Sequence, residues 1–353
     1  MKKEGVVFMK GVVLQGPGQF STEQLPMPEI APDEMLLKME RAAICGTDIR
    51  ILEGKKTKDV RYPSVIGHEF CGTLEKIGEN VTGYAVGERV AIANVIPCGH
   101  CASCLKSREN ACLNRLAIGY QFDGGFAEYV RIPAVCIRAG NVVKLPEHVS
   151  FTAGALIEPL ACCIRGLYNA GTGFGDTVLV IGAGPIGLMH LQLSHIAGAR
   201  KVIVSEPNES RRQAAAELGA DIVVDSLHED LREIVLRETD GQGVDVIIVA
   251  IGIPALVNPT LKLCRKGGTV CLFAGFAGTG ECTVEVNTIH YGEINVCGST
   301  AYRRSDYLAA AEMVKSGRID LDRIATHVFK LEDFRQAYET CKAGTGLKIM
   351  IAP

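Results

Sequence analysis

The segment Thr177-Val-Leu-Val-Ile-Gly182-Ala-Gly184-Pro-Ile-Gly187-Leu-Met constrains the fold more than any other stretch of this chain. Its apolar opening reads as a strand buried on both faces, and a glycine-punctuated turn leads from that strand directly into a helical pattern. Gly182 permits the tight turn, Gly184 lets backbone approach a ligand, and Gly187 lets helix pack on strand. The helix N-terminus then attracts an anion such as a pyrophosphate. The rhythm persists around the turn, with buried runs at 177–182, 201–205, 244–250 and 269–274 and helical segments at 185–197, 209–218 and 227–239. Such alternation needs crossover connections, so the strands form a parallel sheet with helices on both faces.

Nineteen residues past Gly187, Glu206 ends the next buried run. An acid there bonds both ribose hydroxyls of NAD and repels the extra phosphate of NADP. Arg211 and Arg212 follow closely, either as a cradle for that phosphate or as an exposed helix face beside the adenine. NAD is therefore the expected cofactor, with Gly182, Gly184, Ile186, Gly187, Glu206 and Arg211 around it.

At 353 residues the chain holds about two domains. From Val12 to Pro146 the pattern is short apolar runs broken by Gly, Pro and Asn, which reads as mostly β. After Tyr302 come helical patterns at 307–315 and 331–343 and a last strand at 347–352. A 47% hydrophobic, 22% charged chain with net charge -3 is neither a disordered segment nor a basic nucleic-acid binder, so a small-molecule partner is expected. The most apolar stretch, 178–198, is interrupted by Pro185, His190, Gln192 and His195, and so does not span a membrane. The opening residues lack a secretion pattern, so a cytoplasmic location is expected, and residues 1–8 read as a dispensable extension before Met9.

Fourteen cysteines in a large chain expected to stay reduced point to metal ligation rather than disulfides. Cys98, Cys101, Cys104 and Cys112 lie at gaps of two, two and seven residues, a spacing at which four thiolates close a tetrahedron around a structural zinc. A second set is dispersed: Cys45 in Ile-Cys45-Gly-Thr47-Asp48, His68 and Glu69 in Gly67-His68-Glu69, and Glu158 in Ile-Glu158-Pro159-Leu. Taken singly, Cys45 reads more often as a buried thiol and His68 as a satisfied core histidine. Glu158 is different, because an ionised carboxylate in an apolar run demands a partner or a metal. Asp48 is suited to orienting His68 from behind.

In this order the C-G-T-D, G-H-E, C-x2-C-x2-C-x7-C, I-E-P-L and G-A-G-P-I-G motifs resemble the zinc-containing medium-chain dehydrogenases, from Met9 to Pro353. Glu69, Glu158 and the ending Gly-Leu-Lys348-Ile-Met-Ile resemble the sorbitol and threonine dehydrogenase branch. The resemblance implies an α/β chain: a GroES-like, mostly-β catalytic domain (1–157, completed by 301–353) and a Rossmann doubly wound parallel-sheet domain (158–300). It implies a catalytic zinc held by Cys45, His68 and Glu69, with Glu158 a fourth ligand or one water away. Thr47 would take the alcohol proton toward the nicotinamide ribose, unless its hydroxyl only satisfies a loop amide. The implied reaction moves a hydride from a polyol or other secondary alcohol to NAD, giving a ketone. L-threonine oxidation is the alternative within enzymes, and a non-catalytic NAD-binding sensor the alternative outside them. A homodimer or homotetramer is expected.

The sequence also departs from that branch. Arg50 stands where a proton-relaying histidine is usual, so proton release is expected through Glu158 or directly to solvent. Ile51 and Ala301-Tyr302 stand where sorbitol dehydrogenases carry a tyrosine and an arginine-tyrosine pair. Tyr302, Phe122 and Arg303 are substrate-pocket candidates by position.

Overall fold

The structure is a computed structural model that describes residues 7–276 and 278–353. It divides into two compact units, Met1–Ala161 with Tyr302–Pro353, and Cys162–Ala301. Among the described residues no helix is long and apolar enough to cross a membrane.

The second unit holds a six-stranded parallel sheet in the spatial order Ile222–Val224, Lys201–Ser205, Thr177–Ile181, Val244–Val249, Cys264–Leu272, Asn295–Gly298. The first strand in sequence is thus third in space, and strand order reverses beside it, which is where doubly wound sheets bind ligands. Leu179, Ile203, Val244, Ile247, Val249 and Val270 are fully buried between the helical layers. The strands Ile222–Val224 and Asn295–Gly298 were not expected: three or four residues carry too little periodicity, and the latter is an exposed edge. The helix expected at 227–239 runs only Leu231–Glu238, because Asp230 caps it by accepting from the N–H groups of Arg232 and Glu233. The helix Ile157–Ala170 was missed in an apolar run whose period is ambiguous.

The first unit is built on a seven-stranded sheet in which Met35–Ala43 pairs antiparallel with Glu69–Ile77, Tyr129–Ile132 and Lys348–Ala352. The last strand thereby completes a sheet started some 300 positions earlier, its own far edge paired in parallel with Ala325–Lys330. Met35, Leu37, Met39, Ile51, Ile66, Phe126 and Phe334 fill the core beneath. The expected extension at 1–8 needs correction at its end. Residues 1–6 lie outside the described residues, but Phe8 already pairs with Pro26 and the Val7 carbonyl accepts from the Met27 N–H at 2.9 Å.

One core residue makes an acid-sensitive contact. His190, on the helix Pro185–Ile196, is fully buried edge-on to Phe273, and neither ring nitrogen has a partner among the described residues. Burial pushes its pKa down to about 3. The unfolded chain therefore binds the proton first, and stability contributed by neutral His190 falls as pH drops below about 6.5 toward 3, by at most about 1.4 kcal/mol per unit. Urea unfolding at pH 7 and pH 5 should show His190→Phe losing less stability on acidification than the parent; equal losses would contradict this account.

Candidate metal centres and active site

The four-cysteine loop, Cys98 to Cys112, has little core of its own: Leu105 and Leu113 are exposed. Its sulfurs nevertheless converge, with Sγ–Sγ distances of 3.6 Å (Cys101–Cys104), 3.8 Å (Cys101–Cys112) and 4.0 Å (Cys98–Cys104), and all four within mutual reach of 4.8 Å. Tetrahedral zinc with arms of about 2.3 Å requires sulfur–sulfur edges of roughly 3.8 Å. The backbone amides of Cys104 and Leu113 push the Cys101 thiol down to about 6, preparing a thiolate ligand. The donor set and its spacing fit a closed structural zinc site.

The dispersed set also converges. Met35–Ala43 and Glu69–Ile77 pair in the register Ala43↔Glu69, so Cys45, just past the end of one strand, meets His68 and Glu69 at the start of the other. One thiol, one imidazole and one carboxylate oxygen lie within 4.8 Å of one another. Gly67 turns the chain into His68 at φ 99, and a Cβ there would stand 2.9 Å from the Phe126 ring. Cys45 caps the helix Gly46–Leu52, its sulfur accepting from the Thr47 N–H at 3.5 Å. Asp48, fully buried, accepts the Cys45 N–H at 2.9 Å with one oxygen and lies 3.1 Å from His68 Nδ1 with the other. That contact fixes the ring and turns Nε2 away from Asp48, free to act as a ligand. Burial opposes charge on His68, but Asp48, Tyr120 and Cys45 outweigh it and hold the imidazole well above its ordinary pKa. A thiol, a histidine and an acid packed in negative surroundings fit a divalent cation.

Glu158, 8% exposed on the helix Ile157–Ala170, lies outside the group whose ligand atoms are all within 4.8 Å of one another. Burial pushes its carboxyl up to about 7, with His68 and Lys348 opposing and Glu69 adding to the shift. Thr47 makes no hydrogen bond through its hydroxyl among the described residues, which removes the loop-amide role.

Sequence reasoning missed three neighbours. Lys348 is buried with its Nζ 2.8 Å and 2.6 Å from the two oxygens of Glu69; burial opposes its charge, but Glu69 and Cys45 raise its pKa. A lone lysine in the apolar run Leu-Lys-Ile-Met-Ile was the available signal, of the kind that singled out Glu158. Tyr120 packs on His68 with ring centroids 5.6 Å apart, and burial pushes its hydroxyl up to about 12. Tyr307, fully buried, lies in the field of Glu158. Conversely, Tyr302 is a packing residue: its hydroxyl donates to Asn94 Oδ1 at 2.6 Å and accepts from the Val95 N–H at 3.2 Å. Arg303 precedes the helix Arg304–Lys315 and its N–H caps onto Asp306 at 2.8 Å. Phe122 lines a groove with Met9, Leu25, Val65 and Tyr129, none of them in the metal set. Ile51 is fully buried in the core.

In the second unit the glycine turn has the expected form. Gly182 has φ 97, Gly184 has open space where a Cβ would stand, and a Cβ on Gly187 would lie 1.8 Å from the Gly182 carbonyl oxygen. Pro185 opens the helix whose N-cap is Gly184, and Ile186 follows it. Glu206 is buried and held by two amides, Ala183 N–H at 2.7 Å and Asn208 N–H at 3.0 Å. Arg212 is committed to the carbonyls of Glu206 and Pro207 and to Asp225. Arg211 donates its backbone N–H to Asn208 at 3.1 Å.

Comparison with known proteins places these sites in context. Residues 31–147 match the alcohol dehydrogenase GroES-like domain model, and residues 185–316 the zinc-binding dehydrogenase model. A D-arabitol-phosphate dehydrogenase of Enterococcus avium is 35% identical over 97% of both chains. An L-threonine 3-dehydrogenase of Rhizobium etli (strain CIAT 652) is 33% identical over 93% of this chain and 94% of its own. A zinc-binding dehydrogenase of Sinorhizobium meliloti 1021, solved with NADP, superposes with a TM-score of 0.92 at 34% identity, over 98% of this chain and 100% of that one. The chain belongs to the zinc-containing medium-chain dehydrogenases, enzymes of zinc and a nicotinamide nucleotide that act on alcohols.

Proposed function

We propose that this enzyme oxidises a polyol or another secondary alcohol to a ketone with NAD, at a zinc held by Cys45, His68 and Glu69. The carrying observation is that a thiol, an imidazole and a carboxylate oxygen from two paired strand ends stand within 4.8 Å of one another. When bound, zinc supplies Lewis-acid polarisation of the carbinol oxygen and NAD accepts the hydride. Cys45 and Glu69 would contribute anionic donors, and Asp48, accepting the Nδ1–H of His68, orients the ring so that Nε2 faces the metal. Thr47, its hydroxyl uncommitted within the described residues, takes the carbinol proton and passes it to Glu158 or to solvent. Arg50, exposed and permanently charged, cannot relay it. Cys98, Cys101, Cys104 and Cys112 hold a second, structural zinc.

The NAD preference is supported by Glu206. Two amides fix its carboxylate, so it cannot swing away from a ribose phosphate, and Arg212 is already committed elsewhere. L-threonine is the second reading, supported by the threonine 3-dehydrogenase relative.

Three measurements test this proposal. Steady-state rates on polyols, diols and L-threonine should give the highest kcat/KM on a polyol-type substrate; a clear lead for L-threonine would establish the second reading. Metal analysis should find about two zincs per chain, falling to one in Cys45→Ser with nucleotide binding retained. Turnover of that variant should drop on the order of a thousandfold, the equivalent of several kcal/mol of lost transition-state stabilisation. Two zincs remaining in Cys45→Ser would remove Cys45 from the site. Glu206→Ala should narrow the NAD over NADP ratio of kcat/KM by about tenfold or more, since a fixed like charge no longer opposes the phosphate; an unchanged ratio would dismiss Glu206 as the discriminator.

A further inference from the structure

Beside the proposed reaction centre stands a group of cations that the chemistry above does not use. After the helix Gly46–Leu52 the chain curls back, and the N–H groups of Lys55 and Lys56 both donate to the Arg50 carbonyl, at 2.8 Å and 3.0 Å. The far side of the loop is tied down by Gln121 Nε2, which donates to the Asp59 carbonyl at 3.3 Å. This places the half-buried Lys56 ammonium over the ring of Tyr120, 5.4 Å from its centroid, and Tyr120 in turn packs on His68. One aromatic layer therefore separates the ammonium from a proposed metal ligand.

Lys56 has no ion pair among the described residues. Arg50, Lys58 and Arg115 all lie close enough to destabilise its charge, after burial itself, and Asp59 alone opposes them. The other nearby acid, Glu53, is already paired with Lys55 at 2.8 Å and Lys342 at 3.0 Å. A partly desolvated ammonium without an ion pair, with three cations and one acid, Asp59, acting on it, gains from an anion that joins it. Its position fixes where that anion sits: a short chain away from the carbon to be oxidised. A zwitterionic amino acid fits poorly, because the same field that attracts its carboxylate repels its ammonium. A phosphate monoester fits well, carrying nearly two negative charges and oxygens for several charge-assisted bonds.

We propose that the substrate is a polyol phosphate, its ester group held by Lys56 over Tyr120 while the carbinol at the other end is oxidised. The phosphate ester stays intact: the carbinol carbon gives a hydride to NAD, the hydroxyl proton goes to solvent, and a keto phosphate leaves. The proposal deepens the polyol reading of the same centre, and it agrees in class with the substrate in the name of the Enterococcus avium relative.

The test compares D-arabitol, D-arabitol phosphate and L-threonine on the zinc-loaded enzyme and on Lys56→Ala, with Lys56→Arg as the conservative control. The parent should prefer the phosphate ester. Lys56→Ala should raise its KM about tenfold to a hundredfold, the range of a lost charge-assisted bond, while KM for NAD and kcat/KM for D-arabitol stay unchanged, and Lys56→Arg should recover most of the preference. Calorimetry with inorganic phosphate, without turnover, should detect binding that Lys56→Ala abolishes. Equal use of ester and free polyol, or a KM effect on NAD instead, would overturn the proposal yet leave the alcohol-oxidising centre intact. Failure of the parent to oxidise any alcohol would instead sink the reading on which it rests.

Discussion

Buried negative charge is the constraint from which the first unit's architecture follows. Asp48, Glu69 and Glu158 are 0%, 1% and 8% exposed, and a thiol stands among them. Removing ionised carboxylates from water costs several kcal/mol each unless positive charge or hydrogen bonds replace the lost hydration. Lys348 answers Glu69 at both oxygens, and Asp48 is occupied by the Cys45 amide and His68. Burial pushes the remaining acid, Glu158, up to about 7, and a divalent cation at the proposed convergence of Cys45, His68 and Glu69 would bring further positive charge to the group. The sheet registers serve this balance: Ala43↔Glu69 and Met350↔Ala43 bring thiol, acid and lysine to one end of three adjacent strands.

Much of this was legible in the sequence because it is encoded locally. The glycine turn is written in six consecutive positions, and the clash of 1.8 Å that a Cβ on Gly187 would make explains why the third glycine is obligatory. The four cysteines lie within one loop, so their spacing alone implied convergence. The dispersed set was legible only through its order along the chain, since a histidine or a cysteine taken singly has commoner roles in a core. Strands of three or four residues escaped notice because two alternations of polarity do not make a period.

The residues that surround the centre were not legible, for a physical reason. Tyr302 looked like a pocket residue by position, yet its hydroxyl is consumed by Asn94 and Val95. Tyr120, two positions from the named Phe122, is the aromatic that meets His68. Which of two nearby rings enters a site depends on the turn between them. That turn is set by Gly119, where an added Cβ would lie 2.7 Å from the Gly67 carbonyl oxygen, and by Gln121 Oε1 accepting the Ala117 N–H at 2.9 Å. Nothing in a linear spacing records either contact.

The four-cysteine loop has a consequence for the substrate end of the site. Its residues bury little apolar surface, so the ordering entropy of the loop is not offset by a core. A metal that joined Cys98 to Cys112 would supply the closure instead, and the chain leaving Cys112 passes through Arg115 to the short strand Leu116–Ala117, paired with Val95–Ile96. Tyr120 lies just beyond. A metal in this loop would therefore anchor the segment that carries both Arg115 and the aromatic against His68. Ordering of a loop outside the dispersed Cys45, His68 and Glu69 set thus bears on the placement of Tyr120 against His68, because Tyr120 lies on the segment that follows Cys112.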